Sequence, residues 1–118
     1  MIDKFLSFLG IAKKSGNLIF GMDEVKSKII GGDICLVMIA SDISSNSLEK
    51  IESFMAEKAG TIDLVKLSYT KDDMERITSK YAAVIGVLDI NIANKIKLLA
   101  EENPKQKTER NDAYNDKI

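Results

Sequence analysis

Two wholly apolar runs organise the pattern of hydrophobic and polar positions along this chain. They cover residues 34–40 and 82–88, and polar residues flank both. An unbroken apolar run of this length is typical of a strand covered on both faces, usually at the centre of a parallel or mixed sheet. Leu18-Ile19-Phe20 and residues 62–67 predict two further strands, and the alternation in the second predicts a more exposed one.

Between these strands, apolar residues spaced three and four apart predict five helices. Strands alternating with helices predict an α/β fold, a three-layer α/β/α sandwich around a central mixed sheet of about four strands. This domain is expected to cover residues 1–102. Residues 103–118 are polar and aperiodic and contain the only proline, so they predict a disordered polar tail.

The second helix has the clearest sequence signals. It is entered through Gly21, which can take backbone angles that a side chain forbids, and it ends at Gly31-Gly32. Asp23 and Glu24 suit the first turn, where the helix dipole is positive. Polar groups therefore remain at the open N-terminal end, where a helix can receive an anion or a nucleotide edge.

The composition narrows the function classes. The chain has 118 residues, 45% of them hydrophobic and 30% charged, which describes an ordinary soluble single domain. No apolar run approaches the roughly 18 to 20 residues of a membrane span, so no membrane partner is expected. A lone Cys35 favours a reducing cytoplasm. The absence of histidine removes the usual general base and the commonest metal ligand, so we predict a protein that is not an enzyme and uses no metal or cofactor.

The net charge of −1 and the pI of about 5.5 by themselves argue against a nucleic-acid-binding protein. The distribution of charge changes this picture. Residues 1–32 hold five lysines against three acids, whereas residues 33–102 hold eight basic groups against twelve acids. The positive part therefore lies around the second helix and permits a local phosphate contact there.

Residues beside the apolar runs offer candidate chemistry. The loop of residues 41–46 supplies hydroxyl and backbone donors for phosphate or sugar. Residues 81–83 supply an apolar lip against which an unstacked base can rest. Asp42 and Asp89 each follow an apolar run, and at a shared sheet end they would form a metal or small-molecule site. Two helix caps are the commoner explanation for these aspartates, and we favour it.

The order of these segments resembles one known family. The first helix, the Leu18–Phe20 strand, the Gly-x-Asp-Glu helix start, the run from Leu36 to Asp42 and the segment from Ser79 to Val87 are similar to the kink-turn-binding ribosomal proteins. This is the L-seven-Ae and L-thirty-e group, and the closest likeness is to its short YlxQ-like bacterial branch. The resemblance spans roughly residues 3–100. It implies the sandwich fold, RNA binding and a ribonucleoprotein role in translation.

In that family the motif Gly-x-Asn-Glu-x-x-Lys at the helix start reads tandem sheared G·A pairs of a bent RNA. Gly21 and Glu24 match this motif, whereas Asp23 stands at the asparagine position and Ser27 at the lysine position. Asparagine both donates and accepts hydrogen bonds, whereas ionised Asp23 only accepts them. Ser27 lacks the lysine contact to guanine, a kind of contact worth about 1 to 3 kcal/mol. The resemblance implies an RNA-binding site made of Lys14, Gly21, Asp23, Glu24, Lys26, Ser27, Lys28, Ser41, Asp42, Ile43, Lys80, Tyr81, Ala82 and Ala83.

Our hypothesis is therefore a monomeric cytoplasmic protein that binds structured, kink-turn-like RNA, with no DNA partner. One alternative is a protein-interaction module on the same fold that has lost tight RNA binding, which the acidic balance, Asp23 and Ser27 favour. A second alternative is an enzyme acting on a small molecule near Asp42 and Asp89. It ranks last, because the chain has no histidine and no phosphate-binding glycine loop after a strand.

Overall fold

Five strands form one mixed sheet between two layers of helices, in a computed structural model that describes residues 3–102 and 107–109. The strand order is β1-β4-β2-β3-β5, with β2 and β3 parallel and the other neighbours antiparallel. The predicted fold class, a three-layer α/β/α sandwich, is confirmed. The elements are α1 (Lys4–Lys14), β1 (Leu18–Phe20), α2 (Met22–Ile30), β2 (Leu36–Ile39), α3 (Ser45–Lys58), β3 (Asp63–Lys66), α4 (Lys71–Thr78), β4 (Val84–Val87), α5 (Ile90–Glu102) and β5 (Lys107–Glu109).

The two apolar runs form the central strands because both of their faces are covered. Helices α1, α4 and α5 pack on one face of the sheet, and α2 and α3 pack on the other. Successive residues of β2 alternate between these layers: Met38 enters the first core, and Val37 enters the second. All four residues of β2 and all four of β4 are buried. Within the described ranges, no helix has the length and apolarity needed to cross a membrane.

Strand β3 is more exposed than β2 and β4, as its sequence predicts. Leu64 and Val65 are neighbours that point to opposite faces, and both are buried. The flanking polar residues are half-buried and paired: Asp63 accepts a hydrogen bond from Lys97 Nζ at 3.1 Å, and Lys66 Nζ lies 3.7 Å from Glu52. The prediction of a more exposed strand is confirmed, because Asp63 and Lys66 at the ends of β3 are half-buried whereas every residue of β2 and β4 is buried.

A short strand also occupies part of the predicted tail. Residues 107–109 form β5, antiparallel to β3. The prediction of disorder is therefore wrong for these three residues. The free edge of a strand pairs through backbone N–H and C=O groups, so pairing there needs no apolar period in the added segment. Residues 103–106 and 110–118, the remainder of the predicted tail, lie outside the described residues.

Helix starts are fixed by short polar side chains, as their spacing indicates. Asp3 accepts from the N–H groups of Phe5 and Leu6 at the start of α1, and Ser44 accepts from Ser47 at the start of α3. The capping box of α4 is complete: Asp73 N donates to Thr70 Oγ1 at 3.1 Å, and Thr70 N donates to Asp73 Oδ2 at 3.0 Å.

Replacing Val37 by aspartate tests the placement of β2. Val37 is fully buried between β3 and β4. Val37→Asp would bury an unpaired charge at a cost of several kcal/mol, against a total stability of about 5 to 15 kcal/mol. We expect no cooperative thermal transition by circular dichroism. Ile30→Asp, at a position 70% exposed, is the matched control and should unfold cooperatively. A cooperatively folded Val37→Asp protein would contradict the placement.

Removing the Asp73 side chain tests the capping box through its pH dependence. The hydrogen bond from the Thr70 backbone lowers the pKa of Asp73 below its ordinary value. Because the folded pKa is the lower one, the stabilisation is fully present above the ordinary aspartate pKa of about 3.9 and is lost as pH falls through the folded value. Asp73→Ala should cost about 0.5 to 1 kcal/mol in urea unfolding at pH 7 and less at about pH 3.

Asp72→Ala is the control for this change. Asp72 is exposed and shares the first turn of α4, but it is outside the capping box. Asp72→Ala should lower the free energy of unfolding at pH 7 by less than Asp73→Ala does. Equal losses for the two variants at pH 7 would show that the helix dipole, and not the capping box, accounts for the effect.

Candidate nucleic-acid interface

The predicted loops meet at one edge of the sheet. Because β4 is antiparallel to β1 and β2, the carboxyl ends of β1 and β2 lie beside the amino end of β4. Gly21 N donates to Val84 O at 2.8 Å, and Ala40 N donates to Ala83 O at 2.9 Å. Parallel β3 ends at the same edge. We call the residues that follow β1, β2 and β3 and precede β4 the loop edge.

The start of α2 has a backbone geometry that requires glycine. Gly21 has φ 105° and ψ 148°, which L side chains rarely adopt. A Cβ atom there would meet no heavy atom within 4 Å, so the requirement comes from the angle and not from crowding. Asp23 and Glu24 are exposed in the first turn. The helix therefore presents its N-terminal turn and two carboxylates to solvent, as predicted.

An open depression of about 340 Å³ lies along β1, which is the outermost strand on this side of the sheet. We call it the β1-edge site. Its lining places one carboxylate with two ammonium groups beside an apolar strand; the residues are Lys13, Leu18, Ile19, Phe20, Glu24 and Lys80. No described carboxylate lies within 4.0 Å of either lysine ammonium. The two cations are therefore available to an anionic ligand.

Of the four predicted lysines, Lys80 lines the β1-edge site, whereas Lys14, Lys26 and Lys28 do not. Lys26 Nζ lies 5.2 Å from the centroid of the Phe54 ring on α3. Since two residues along a helix turn about 200°, Lys26 points away from Glu24. Lys28 lies one turn after Glu24 and is half-buried, and Ser27 is exposed beside it. Lys14 is exposed at the end of α1 but does not line the depression.

Residues 41–43 play a larger structural part than predicted. Ser41 N donates to Tyr69 O, and Asp42 Oδ1 accepts from Lys71 N at 2.9 Å. Ile43 is half-buried against the α2/α3 core. One oxygen of Asp42 is thus engaged in fixing the start of α4. The side chains of Ser41 and Asp42 are nevertheless exposed at the loop edge.

The segment before β4 offers an aromatic surface. Tyr81 is 58% exposed, and Lys71 Nζ lies 5.4 Å from its ring centroid. Ala82 and Ala83 are half-buried behind it. A flat ring with a cation beside it suits stacking against a base next to a phosphate.

The hypothetical site between Asp42 and Asp89 does not exist. Asp42 follows β2 and Asp89 follows β4, and these strands are antiparallel, so the two carboxylates lie at opposite edges of the sheet. Asp89, directly before α5, caps that helix, because its Oδ1 accepts from Ile92 N at 3.0 Å. Asp42 is not an N-cap residue, since Ser44 caps α3 and Thr70 caps α4, but its Oδ1 accepts from Lys71 N at the start of α4. The alternative of an enzyme site at these residues loses its geometric basis.

Cys35 is poorly suited to act as a nucleophile. Burial, and to a lesser extent the nearby Asp89 carboxylate, raises the pKa of the Cys35 thiol above its ordinary value. The thiol donates a long hydrogen bond to Leu88 O at 3.5 Å. It therefore stays protonated at neutral pH, whereas the thiolate is the reactive form.

The sequence analysis did not identify three residues that the structure places in the candidate interface. Lys13, not Lys14, lines the β1-edge site, and consecutive lysines at a helix end do not reveal which one faces a neighbour. Phe20 is half-buried and contributes to the apolar strand of the site, although its apolar run predicts only a strand. Lys71 reaches Tyr81 across a loop contact that no sequence spacing indicates.

Comparison with known proteins supports the fold. No family model and no curated protein matches this chain. Among solved structures, a protein of unknown function from Bacillus halodurans is similar, with a TM-score of 0.72 and 28% sequence identity. The similarity covers 81% of this chain and 95% of that protein. That protein brings no function to this chain, so the function is argued from the site.

Substituting Gly21 tests the geometry at the start of α2. Gly21→Ala must hold a side chain at φ 105° and should cost about 1 to 3 kcal/mol in urea unfolding. Ser79→Ala is the control, because Ser79 is a non-glycine residue already at positive φ (66°), and alanine there should cost less. A negligible cost at Gly21 would show that the start of α2 adopts another conformation in solution.

Proposed function

We propose that this protein binds structured RNA containing a kink-turn or a similar bend, through the start of α2 and the β1-edge site. One observation carries the proposal. Glu24 is exposed in the first turn of α2, which begins directly after Gly21 with its positive φ. It lines the same depression as Lys13 and Lys80, and neither lysine forms an ion pair with a described carboxylate. An acceptor flanked by cations fits purine edges next to phosphates.

The contacts follow from the chemistry of these groups. Glu24 accepts hydrogen bonds from the N1 and N2 donors of guanine in non-Watson–Crick pairs. Lys13 and Lys80 contact phosphates on the two sides of that carboxylate. Tyr81 stacks against an unpaired base at the loop edge. Recognition on this account is of RNA shape and of splayed bases, not of duplex sequence.

The lysines proposed here differ from those that the sequence suggests. Lys13 replaces Lys26, because the Lys26 ammonium lies over Phe54 on the side facing α3. Lys28 remains a candidate beside Glu24, and Lys14 remains one at the exposed end of α1. We further propose that the protein is non-catalytic, monomeric and cytoplasmic, has no DNA partner, and acts in a ribonucleoprotein such as a ribosomal particle.

Titration of a labelled kink-turn RNA and a matched straight duplex tests the proposal. Glu24→Ala should lose about 1 to 3 kcal/mol of kink-turn affinity, the scale of one good base contact. Its stability should change by less than about 1 kcal/mol, the scale of a helix-dipole interaction. Glu49→Ala, an exposed acid on α3, is the matched control and should bind like wild type.

Two further arms examine charge. Asp23→Asn with Ser27→Lys restores the family pattern and should strengthen binding, with the gain from lysine shrinking at higher salt. Lys13→Ala or Lys80→Ala should each reduce the slope of log affinity against log salt by about 1, whereas Lys58→Ala on α3 should not. The RNA proposal fails if wild type prefers the kink-turn over the duplex no more than Glu24→Ala does and the restored variant gains nothing.

A protein-interaction module is the second candidate, and one observation favours it. Asp23 and Glu24 place two exposed carboxylates in the first turn, and Lys26, the nearest following cation, is turned toward α3. This arrangement repels phosphate more than the family motif does. If the RNA proposal fails as described, this candidate takes its place.

A further inference from the structure

A second surface lies on the outer side of the α1/α4/α5 layer and shares no residue with the β1-edge site. It is an open groove of about 280 Å³ between α1 and α5, and almost all of its lining is carbon. We call it the α1–α5 groove; its residues are Lys4, Ser7, Phe8, Ile11, Lys95 and Leu99.

Apolar side chains are unusually exposed on this layer. Six large hydrophobic residues are exposed in the described part of the chain, and four of them lie on α1, α4 and α5: Ile11, Ile77, Ile90 and Leu98. Ile11 is 62% exposed within the groove itself, although the same helix buries Phe5 and Leu9 completely or nearly so. Phe8 and Leu99 are partly buried against the core, so Ile11 is the groove residue whose exposure folding does not require.

The charges at the rim of the groove have one sign. Lys4 and Lys95 line it, and neither has an ion pair with a described carboxylate. Leu88 N donates to Asn17 O, so α5 begins beside the end of α1 and the helices run in opposite directions. Lys4, in the first turn of α1, and Lys95, in the second turn of α5, therefore lie toward opposite ends of the groove.

We propose that the α1–α5 groove docks an amphipathic helix of a partner protein, in which acidic residues flank a large aliphatic side chain. The aliphatic group would pack between Phe8, Ile11 and Leu99, and the acids would meet the two lysines. The groove residues of α1 run from Lys4 to Ile11, about 10 Å of helix, so we choose acids seven residues apart on the partner to span this length. Such acids share one helix face with the residue between them.

Charge complementarity selects this occupant over a second copy of the chain. A symmetric dimer would place the same patch on both sides of the interface. Both copies would then contribute only lysines to the rim, and like charges oppose each other there. An amphipathic acidic helix would pack its aliphatic side chain against the apolar lining and pair its acids with Lys4 and Lys95.

The probe is a capped 16-residue alanine-rich helical peptide with a central leucine, a glutamate three residues before it and another four residues after it. Its binding is measured by chemical-shift mapping of the ¹⁵N-labelled protein. We expect shifts confined to α1 and α5. Lys4→Glu/Lys95→Glu should raise the Kd about tenfold, the conversion of two exposed ion pairs of about 0.5 to 1 kcal/mol each. A peptide with lysines in place of both glutamates should prefer this double variant over wild type.

Matched variants separate the groove from general surface effects. Lys50→Glu/Lys58→Glu changes two exposed lysines of α3 and should leave the Kd unchanged. Ile11→Ser should weaken binding, whereas Ile30→Ser, at an equally exposed isoleucine on α2, should not. Thermal melts of each variant show that it remains folded.

Several results would overturn the proposal. These are an absence of chemical-shift changes at millimolar peptide, changes centred on the β1-edge site, or a Kd that is the same for wild type and for Lys4→Glu/Lys95→Glu. Concentration-dependent dimerisation abolished by Ile11→Ser would assign the groove to a second copy instead. Because the groove shares no residue with the β1-edge site, kink-turn binding and peptide binding can fail independently.

Discussion

The antiparallel pairing of β4 with both β1 and β2 is the constraint on which the rest of the structure depends. It turns the chain so that the ends of β1 and β2 meet the beginning of β4. Gly86 makes this pairing compatible with a packed face. A Cβ atom there would come within 2.6 Å of the Ile34 side chain and 3.1 Å of the Ile19 side chain, so the two isoleucines fill the space over the central strand. The same pairing separates Asp42 from Asp89.

Much of the fold could be predicted because its signals are local. The unbroken run around Val37 indicates a strand buried on both faces, and the spacing of Thr70 and Asp73 indicates a helix start. Whether two strands run parallel or antiparallel depends on the whole sheet. The sequences around Asp42 and Asp89 therefore could not predict that these residues lie far apart. For β5, pairing through backbone groups leaves no side-chain pattern to detect.

The candidate site was predictable to a smaller extent. Gly21 and Glu24 follow from helix-start chemistry, and the structure places both as expected. The choice between Lys13 and Lys14 depends on how α1 rotates against its neighbours, and the position of Lys26 depends on an aromatic ring from another helix. Net charge is a poor guide here as well, since a chain with a net charge of −1 still places two lysines and one glutamate in the lining of a single depression.

The hydrogen bond from Gly21 N to Val84 O has a consequence for synthesis of the chain. The residues of α2 leave the ribosome early, yet the partner that fixes their start is more than sixty positions later in the sequence. Closing such a long loop is slow relative to forming a helix. The start of α2 therefore lacks its hydrogen bond to Val84 until β4 has been translated. A nascent chain therefore carries Gly21 and Glu24 well before it carries the strand that fixes the start of α2.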